Sequence, residues 1–324
     1  MGLRLSVQRT AWLHSVDDAA STRPGLVPVV KGNGYGFGRP TLMPIAARLA
    51  AAHGADGQLA VGTVYEAHDV PTGSVALVLT PHIDAIPDTV PSTAILTVGN
   101  VDHVRALERH GWTGRVSIKL ASSMRRYGVC AEALPAVVGE AASAGLDLES
   151  FSIHLPLRGG DDVRRAEIEA WLPMLDAAVP LSVSHLDPGT YADLRAAHAD
   201  RRLRLRCGTA LWHADKRFVH LSADVLDVHP VALGETAGYH ATPVPADGHL
   251  VLVAAGSAHG VGPLAGGLSP FHYARTRMAL LEGPHMHTSI AFVPTGQPTP
   301  AIGDRVDVQR PLIETAVDEL EWAP

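Results

Sequence analysis

The chain has little cysteine: Cys130 and Cys207 are the only two in 324 residues. They form no metal-like spacing, and a reduced, cytoplasmic setting is the expectation. A basic block is also missing. Lys and Arg number 26 against 33 Asp and Glu, a net charge of −7, which argues against nucleic acid as a partner. No apolar run approaches the roughly 18 residues that a membrane span needs, so no membrane partner is expected. The opening Met1-Gly2-Leu3-Arg4-Leu5-Ser6-Val7 is too short and too polar for a signal peptide. What the chain does have is a hydrophobic fraction of 46%. That is core enough for one large domain, or for a large and a small one.

Short apolar runs separated by alanine-rich helical patterns fill the first two-thirds. Strands are expected at Val27–Lys31, Leu59–Gly62, Ala76–Thr80, Thr93–Val98, Val116–Leu120, Phe151–Leu155, Leu181–His185 and Leu203–Arg206. Helical spacing marks Leu42–His53, Val101–His110 and Ala131–Gly145. Eight strands alternating with helices predict an α/β fold with an N-terminal (β/α)8 barrel, although a doubly wound sheet would alternate too. Polar placement favours the barrel. Lys31, Lys119, His154, His185 and Arg206 each fall at the C-terminal end of a strand, where the catalytic groups of a barrel converge.

After about Trp212 the pattern changes to short strands split by turns. These are Val225–Val231, Gly234–Tyr239, His249–Ala255, Ser289–Val293 and Arg305–Val308. The glycine-rich stretch Gly256–Ser269 reads as a long functional loop. The expected division is a barrel over residues 1–221, whose first few residues can pair with the second domain, and a mostly β domain over 222–324.

One stretch carries most of the chemical information: Pro28-Val29-Val30-Lys31-Gly32-Asn33-Gly34-Tyr35-Gly36-Phe37-Gly38. Val29 and Val30 read as buried strand, and the glycines let backbone approach a ligand closely. A lysine buried at a strand end is costly unless its charge is removed, and a Schiff base removes it. The plainer alternative is a snorkelling lysine before a turn.

Several blocks stand in the order and spacing of the alanine racemase family, fold-type III enzymes that use pyridoxal phosphate (PLP). Besides the lysine motif they are Ala60–Ala67, Ile118–Val129, Phe151–His154, Leu205–Trp212 and Gly234–Tyr239. The resemblance implies that Lys31 carries PLP and serves as one proton-transfer base, and that Tyr35 contacts its phosphate. It implies that Arg126 faces the phenolic oxygen and, with Met286, borders the substrate. Lys119 matches a position that in some members bears a carbamate holding that arginine. His154 would lie near the pyridine ring and Arg206 would bond its nitrogen, with Gly208 and Thr209 in the same cofactor-binding block. An amino-acid substrate, isomerase activity and a homodimer follow from the same resemblance.

The departures concern the second base. The family uses a tyrosine donated across the dimer interface, and Ser257 stands in its place. A serine hydroxyl has too high a pKa to replace a phenol unaided. His259 stands two residues on, and an imidazole is a general acid–base group suited to neutral pH. His259 and Ser257 are therefore the candidate second catalytic groups, with Tyr239 and Tyr273 as rivals. Ser184-His185-Leu186-Asp187 fits the family's phosphate block poorly. His285 and His287 share a strand face, but no carboxylate or cysteine is found at usable spacing, and no metal is expected. A PLP-dependent racemase or epimerase is the leading reading. A one-base PLP lyase or aldolase acting on a D-amino acid, and a non-catalytic PLP-binding protein, are the alternatives.

Overall fold

The computed structural model describes residues 2–54 and 56–323, and all counts refer to these. The chain divides into two compact units: Val16–Gly34 with Arg39–Ala214, and Met1–Ser15 with Tyr35–Gly38 and Asp215–Pro324. Strand β1 (Leu3–Gln8) and helix α1 (Arg9–Ser21) come first.

Eight parallel strands build the first unit. They are β2 (Leu26–Pro28), β3 (Gln58–Val61), β4 (Val75–Val78), β5 (Ile95–Val98), β6 (Arg115–Lys119), β7 (Asp147–Ser152), β8 (Leu181–Ser184) and β9 (Leu203–Cys207). Helices α2 (Arg39–His53), α3 (Val101–Arg109), α4 (Leu134–Ser143), α5 (Asp161–Trp171), α6 (Pro188–Ala197) and α7 (Thr209–Trp212) accompany them. The sheet runs β2-β9-β8-β7-β6-β5-β4-β3. It closes where Val29 bridges Ala60, the Val30 N–H donating to the Ala60 carbonyl at 2.8 Å. The fold is thus a barrel, and each of the eight expected strands is present. The first is shorter than expected, because after Pro28 the chain crosses from one neighbour to the other, Val29 donating to Cys207 and Val30 to Ala60.

Strand alternation sets the polarity inside. Val116, Ile118, Val183, Leu203 and Leu205 face the helices. Ser117, Lys119, Ser150, Ser152, Ser182, Ser184, Arg204 and Arg206 take the inward positions, and all are buried. The β6–β7 pairing slips by one residue: Val116 faces Leu148 and Ser117 faces Ser150, which leaves Glu149 unpaired. Such a bulge turns two successive side chains to one face. Ser150 reaches the Ser117 hydroxyl at 3.0 Å, while Glu149 takes the Arg204 guanidinium at 2.9 Å and the Gln58 amide at 2.8 Å.

The second unit is antiparallel. Its strands are β10 (Val219–Val231), β11 (Thr236–Ala237), β12 (Thr242–Pro243), β13 (Gly248–Val253), β14 (Phe271–Tyr273), β15 (Thr276–Arg277), β16 (Ala279–Leu280), β17 (Ser289–Pro294), β18 (Arg305–Val308) and β19 (Glu319–Ala323). Long β10 pairs with β1, β13 and β18, and β1 pairs on in parallel with β19. Leu3, Leu5 and Val7 are fully buried, and Trp12 stacks on Phe37 with ring centroids 4.7 Å apart. The strand expected over Gly234–Tyr239 shrinks to a two-residue hairpin, since Gly234 and Gly238 take left-handed φ of +84° and +80° at its ends. Gly256–Ser269 stays irregular apart from two single 3₁₀ turns. No described helix is long and apolar enough to cross a membrane.

The Glu149–Arg204 contact lies at the end of the barrel opposite Lys31, with the arginine side chain only 7% exposed. Removing the carboxylate by Glu149→Ala leaves the buried guanidinium to Asp56 alone and takes away the acceptor of the Gln58 amide. It is expected to lower unfolding stability by about 3 kcal/mol, read from urea denaturation midpoints. A loss below about 1 kcal/mol, the range of an exposed pair, would show the contact to be expendable.

Candidate active site

Lys31 follows Val30 directly and is exposed, not buried as its strand-end position suggested. Its charge is nevertheless disfavoured. Partial burial lowers its pKa from 10.5, Arg126 and Arg206 push the same way, and Glu66 opposes them. The turn after it is braced from the side. Glu66 accepts the Gly32 N–H at 3.0 Å and the Gly62 N–H at 2.7 Å, and Arg39 donates to the Gly32 carbonyl at 2.6 Å. Glu66, inside the Ala60–Ala67 block, is a site residue that sequence reasoning passed over. Its signal was an acid just after a strand, with a glycine on each of the two loops it ties.

Arg206, on β9, is fully enclosed. Its guanidinium donates to the Ile153 carbonyl at 2.6 Å and the Ser182 carbonyl at 3.2 Å, and burial lowers its pKa to about 10. It therefore stays charged and sets the protonation of its neighbours. His154, after β7, is pushed down to about 2 by burial and then by Arg206, Lys119, His185 and Arg126. Its Nδ1 lies 2.8 Å from the Ser184 hydroxyl. Lys119, at the end of β6 and 6% exposed, falls well below the lysine range through burial, Arg206 and Arg126. Arg126 is exposed on the following loop, its guanidinium 4.8 Å from the Tyr127 ring centre. That loop is held by Glu167, which accepts the Ser123 hydroxyl at 2.7 Å, and by Ser122, which donates to the His154 carbonyl at 2.7 Å.

The barrel thus brings Lys31, Lys119, Arg126, His154 and Arg206 to one end. Gly208 and Thr209 follow β9 beside the first strand, where Val29 donates to Cys207. Tyr35 is buried with φ +57° and groups with the β unit.

The remaining candidates lie in the β unit. Gly256 crosses the chain at 285–286 so closely that a Cβ there would come 2.2 Å from the His285 carbonyl oxygen. Ser257 and Ala258 then donate to the His285 and Met286 carbonyls at 2.8 and 2.9 Å. This leaves Ser257 and Met286 exposed and buries His259. The His259 ring is fully engaged. The Gly256 N–H donates to Nδ1 at 3.0 Å, so the proton sits on Nε2, 3.1 Å from the Asp318 carboxylate. That geometry gives His259 a loop-holding task in place of the expected proton exchange. His285 is likewise committed. Its Nε2 lies 2.5 Å from Glu282, a carboxylate three residues back whose pKa that bond pulls down to about 2. The expectation that no carboxylate lay at usable spacing is corrected by this pair. Among the described residues no group of three His, Cys, Asp or Glu is arranged to hold a metal.

Residues 10–215 match the family described as alanine racemase, N-terminal domain, and the chain belongs to that family. Solved structures share the fold over nearly the whole chain. Alanine racemase from Bartonella henselae with covalently bound pyridoxal phosphate is 16% identical, with a TM-score of 0.71 over 96% of this chain and 91% of that one. Alanine racemase from Corynebacterium glutamicum is 18% identical, with a TM-score of 0.71 over 99% of both chains. The enzyme from D-cycloserine-producing Streptomyces lavendulae is 22% identical, with a TM-score of 0.68 over 95% of this chain and 87% of that one. No curated protein matches in sequence.

Lys119 yields a stability test. The unfolded chain holds a proton up to the ordinary lysine pKa of 10.5, and the folded chain releases it earlier. Stability therefore rises with pH between the folded and unfolded values. In carbon-dioxide-free buffer, Lys119→Met should be more stable than the parent at pH 7, and the gain should shrink toward pH 10. A parent more stable than the variant at pH 7 would contradict the assignment.

Proposed function

We propose that this protein is a PLP-dependent amino-acid isomerase of the racemase type, interconverting the L- and D-forms of one amino acid. The observation that carries the reading is Lys31, an amine biased toward its neutral form, at the same barrel end as the enclosed, always-charged Arg206. The donor set fits the cofactor: an amine for its aldehyde, a guanidinium for its ring, and the Arg126 guanidinium for an anionic ligand in a chain that is negative overall. When bound, PLP supplies an aldehyde for the amine and an electron-withdrawing ring that acidifies the substrate's α C–H.

The protein's own groups would do the rest. Lys31 Nζ would take or return the substrate's α-proton. Arg206, charged and without a lone pair to accept from the ring, would leave the pyridine nitrogen unprotonated. An Arg206 in that place would favour proton return to the α-carbon over elimination or transamination. His154, neutral at working pH, adds no competing acid there. We place Tyr35, Gly208 and Thr209 with the cofactor and Met286 with the substrate. We also propose a homodimer, supported by the exposed Tyr239 and Met286 (82% and 70%) on the β unit.

One observation favours a second reading. With both His259 nitrogens in use and Ser257 lacking a bonded base, a one-base lyase or aldolase on a D-amino acid fits the β unit equally well.

Borohydride reduction after PLP addition, followed by peptide mapping, should place the pyridoxyl group on Lys31. An adduct elsewhere, or no cofactor absorbance, would refute the assignment. In deuterated buffer, α-proton exchange with inversion identifies the isomerase, and exchange without inversion identifies the one-base enzyme. For the dimer, sedimentation should give twice the mass of the chain, and a fully active monomer would exclude it.

A further inference from the structure

The barrel mouth holds an imidazole that the roles above leave unused. His185 follows β8 directly, and its backbone turns left-handed there at φ +63°. A non-glycine residue keeps that conformation only where its surroundings impose it, and such residues cluster at functional sites. The turn sets Nδ1 2.6 Å from the Leu155 carbonyl oxygen. A carbonyl only accepts, so Nδ1 carries the proton and Nε2 the lone pair. Nε2 has no hydrogen-bond partner among the described residues. The ring is braced on its other side by His154, with centroids 4.5 Å apart, and His154 is itself tied to Ser184. The residue is half-buried. Burial disfavours its imidazolium, the Leu155 bond favours it, and the charges of Arg206, Arg164 and Lys31 disfavour it again. Lys31 is thus among the charges that bear on His185.

We propose that His185 is the second proton-transfer residue of this barrel, its Nε2 exchanging the α-proton on behalf of the enantiomer that Lys31 does not serve. The inference rests on the isomerase reading and deepens it. The step balances. One C–H bond breaks as Lys31 Nζ or His185 Nε2 accepts the proton, and a new C–H bond forms as the other group gives one up. In each direction one proton enters the pair and one leaves. With serine at position 257 and His259 committed to Asp318, the barrel itself provides the group that the β unit does not.

The test uses the PLP-loaded protein with L- and D-alanine, and then other amino acids, in deuterated buffer. His185→Asn keeps a side chain that tolerates the left-handed turn, and His185→Gln serves as a second variant. Both should retain cofactor absorbance. Each should lose exchange from one enantiomer by about 10²-fold or more, in line with removal of a general base, while exchange from the other stays close to that of the parent. A second readout needs no turnover. Diethyl pyrocarbonate should modify His185 on Nε2, and PLP with alanine should protect it, as seen by peptide mapping. Undiminished exchange from both enantiomers in the two variants would overturn the proposal. So would a one-enantiomer loss on Ser257→Ala with His185 intact, or loss of cofactor binding in both His185 variants. If the parent exchanges one enantiomer only, without inversion, the isomerase reading itself fails, and this inference fails with it.

Discussion

An enclosed guanidinium governs the chemistry of this barrel. Arg206 cannot give up its charge at any pH the protein meets, and two backbone carbonyls fix it in place. Among the described residues no carboxylate bonds to it, so the charge acts outward. Burial is the larger cause, and Arg206 adds to it: the pKa values of His154, Lys119, His185 and Lys31 are all displaced downward. A site meant to attract an anion and keep an amine reactive needs that bias. Arg206 contributes to it at all four positions.

Holding so many like charges together requires a rigid surround. Glu66 ties the Lys31 turn to the loop after β3, Glu167 and Ser122 fix the Arg126 loop, and Arg164 donates to the Pro156, Leu157 and Gly159 carbonyls. The acids that would otherwise neutralise the cations are spent on backbone N–H groups and on loop braces. At the opposite end the charges are paired directly, Glu149 with Arg204 and Arg115. Catalytic potential and stability are thereby assigned to different ends of the same strands, as in barrels generally.

The barrel was legible in sequence because its strands are buried on both faces and read as short apolar runs, while the polar residues that interrupt them fall at strand ends. Lys31, Lys119, His154, His185 and Arg206 were all visible in that way. Their settings were not. That Lys31 is exposed depends on how the strand stops at Pro28, and the tautomer of His185 depends on a left-handed turn that no side-chain pattern announces. His259 looked like an available base, because nothing local reveals that Asp318 comes to meet it. In the β unit, strands of two or three residues such as β15 and β16 are too short for any periodicity. Leu3-Arg4-Leu5-Ser6-Val7 does alternate strictly, but alternation names a strand without naming its neighbours.

Those neighbours bear on how the protein is made. Strand β1 sits between β10 and β19, joining residues 4–8 to residues 319–323. During synthesis, every strand of the barrel is available before that seam can form. The barrel can therefore settle early on the ribosome, while β1 waits, apolar on one face, for residues 319–323 to be translated. Of the whole molecule, this seam has the longest loop to close. The interval before it closes is when an unfinished chain is most open to chaperones, to proteases, and to pairing with the wrong strand.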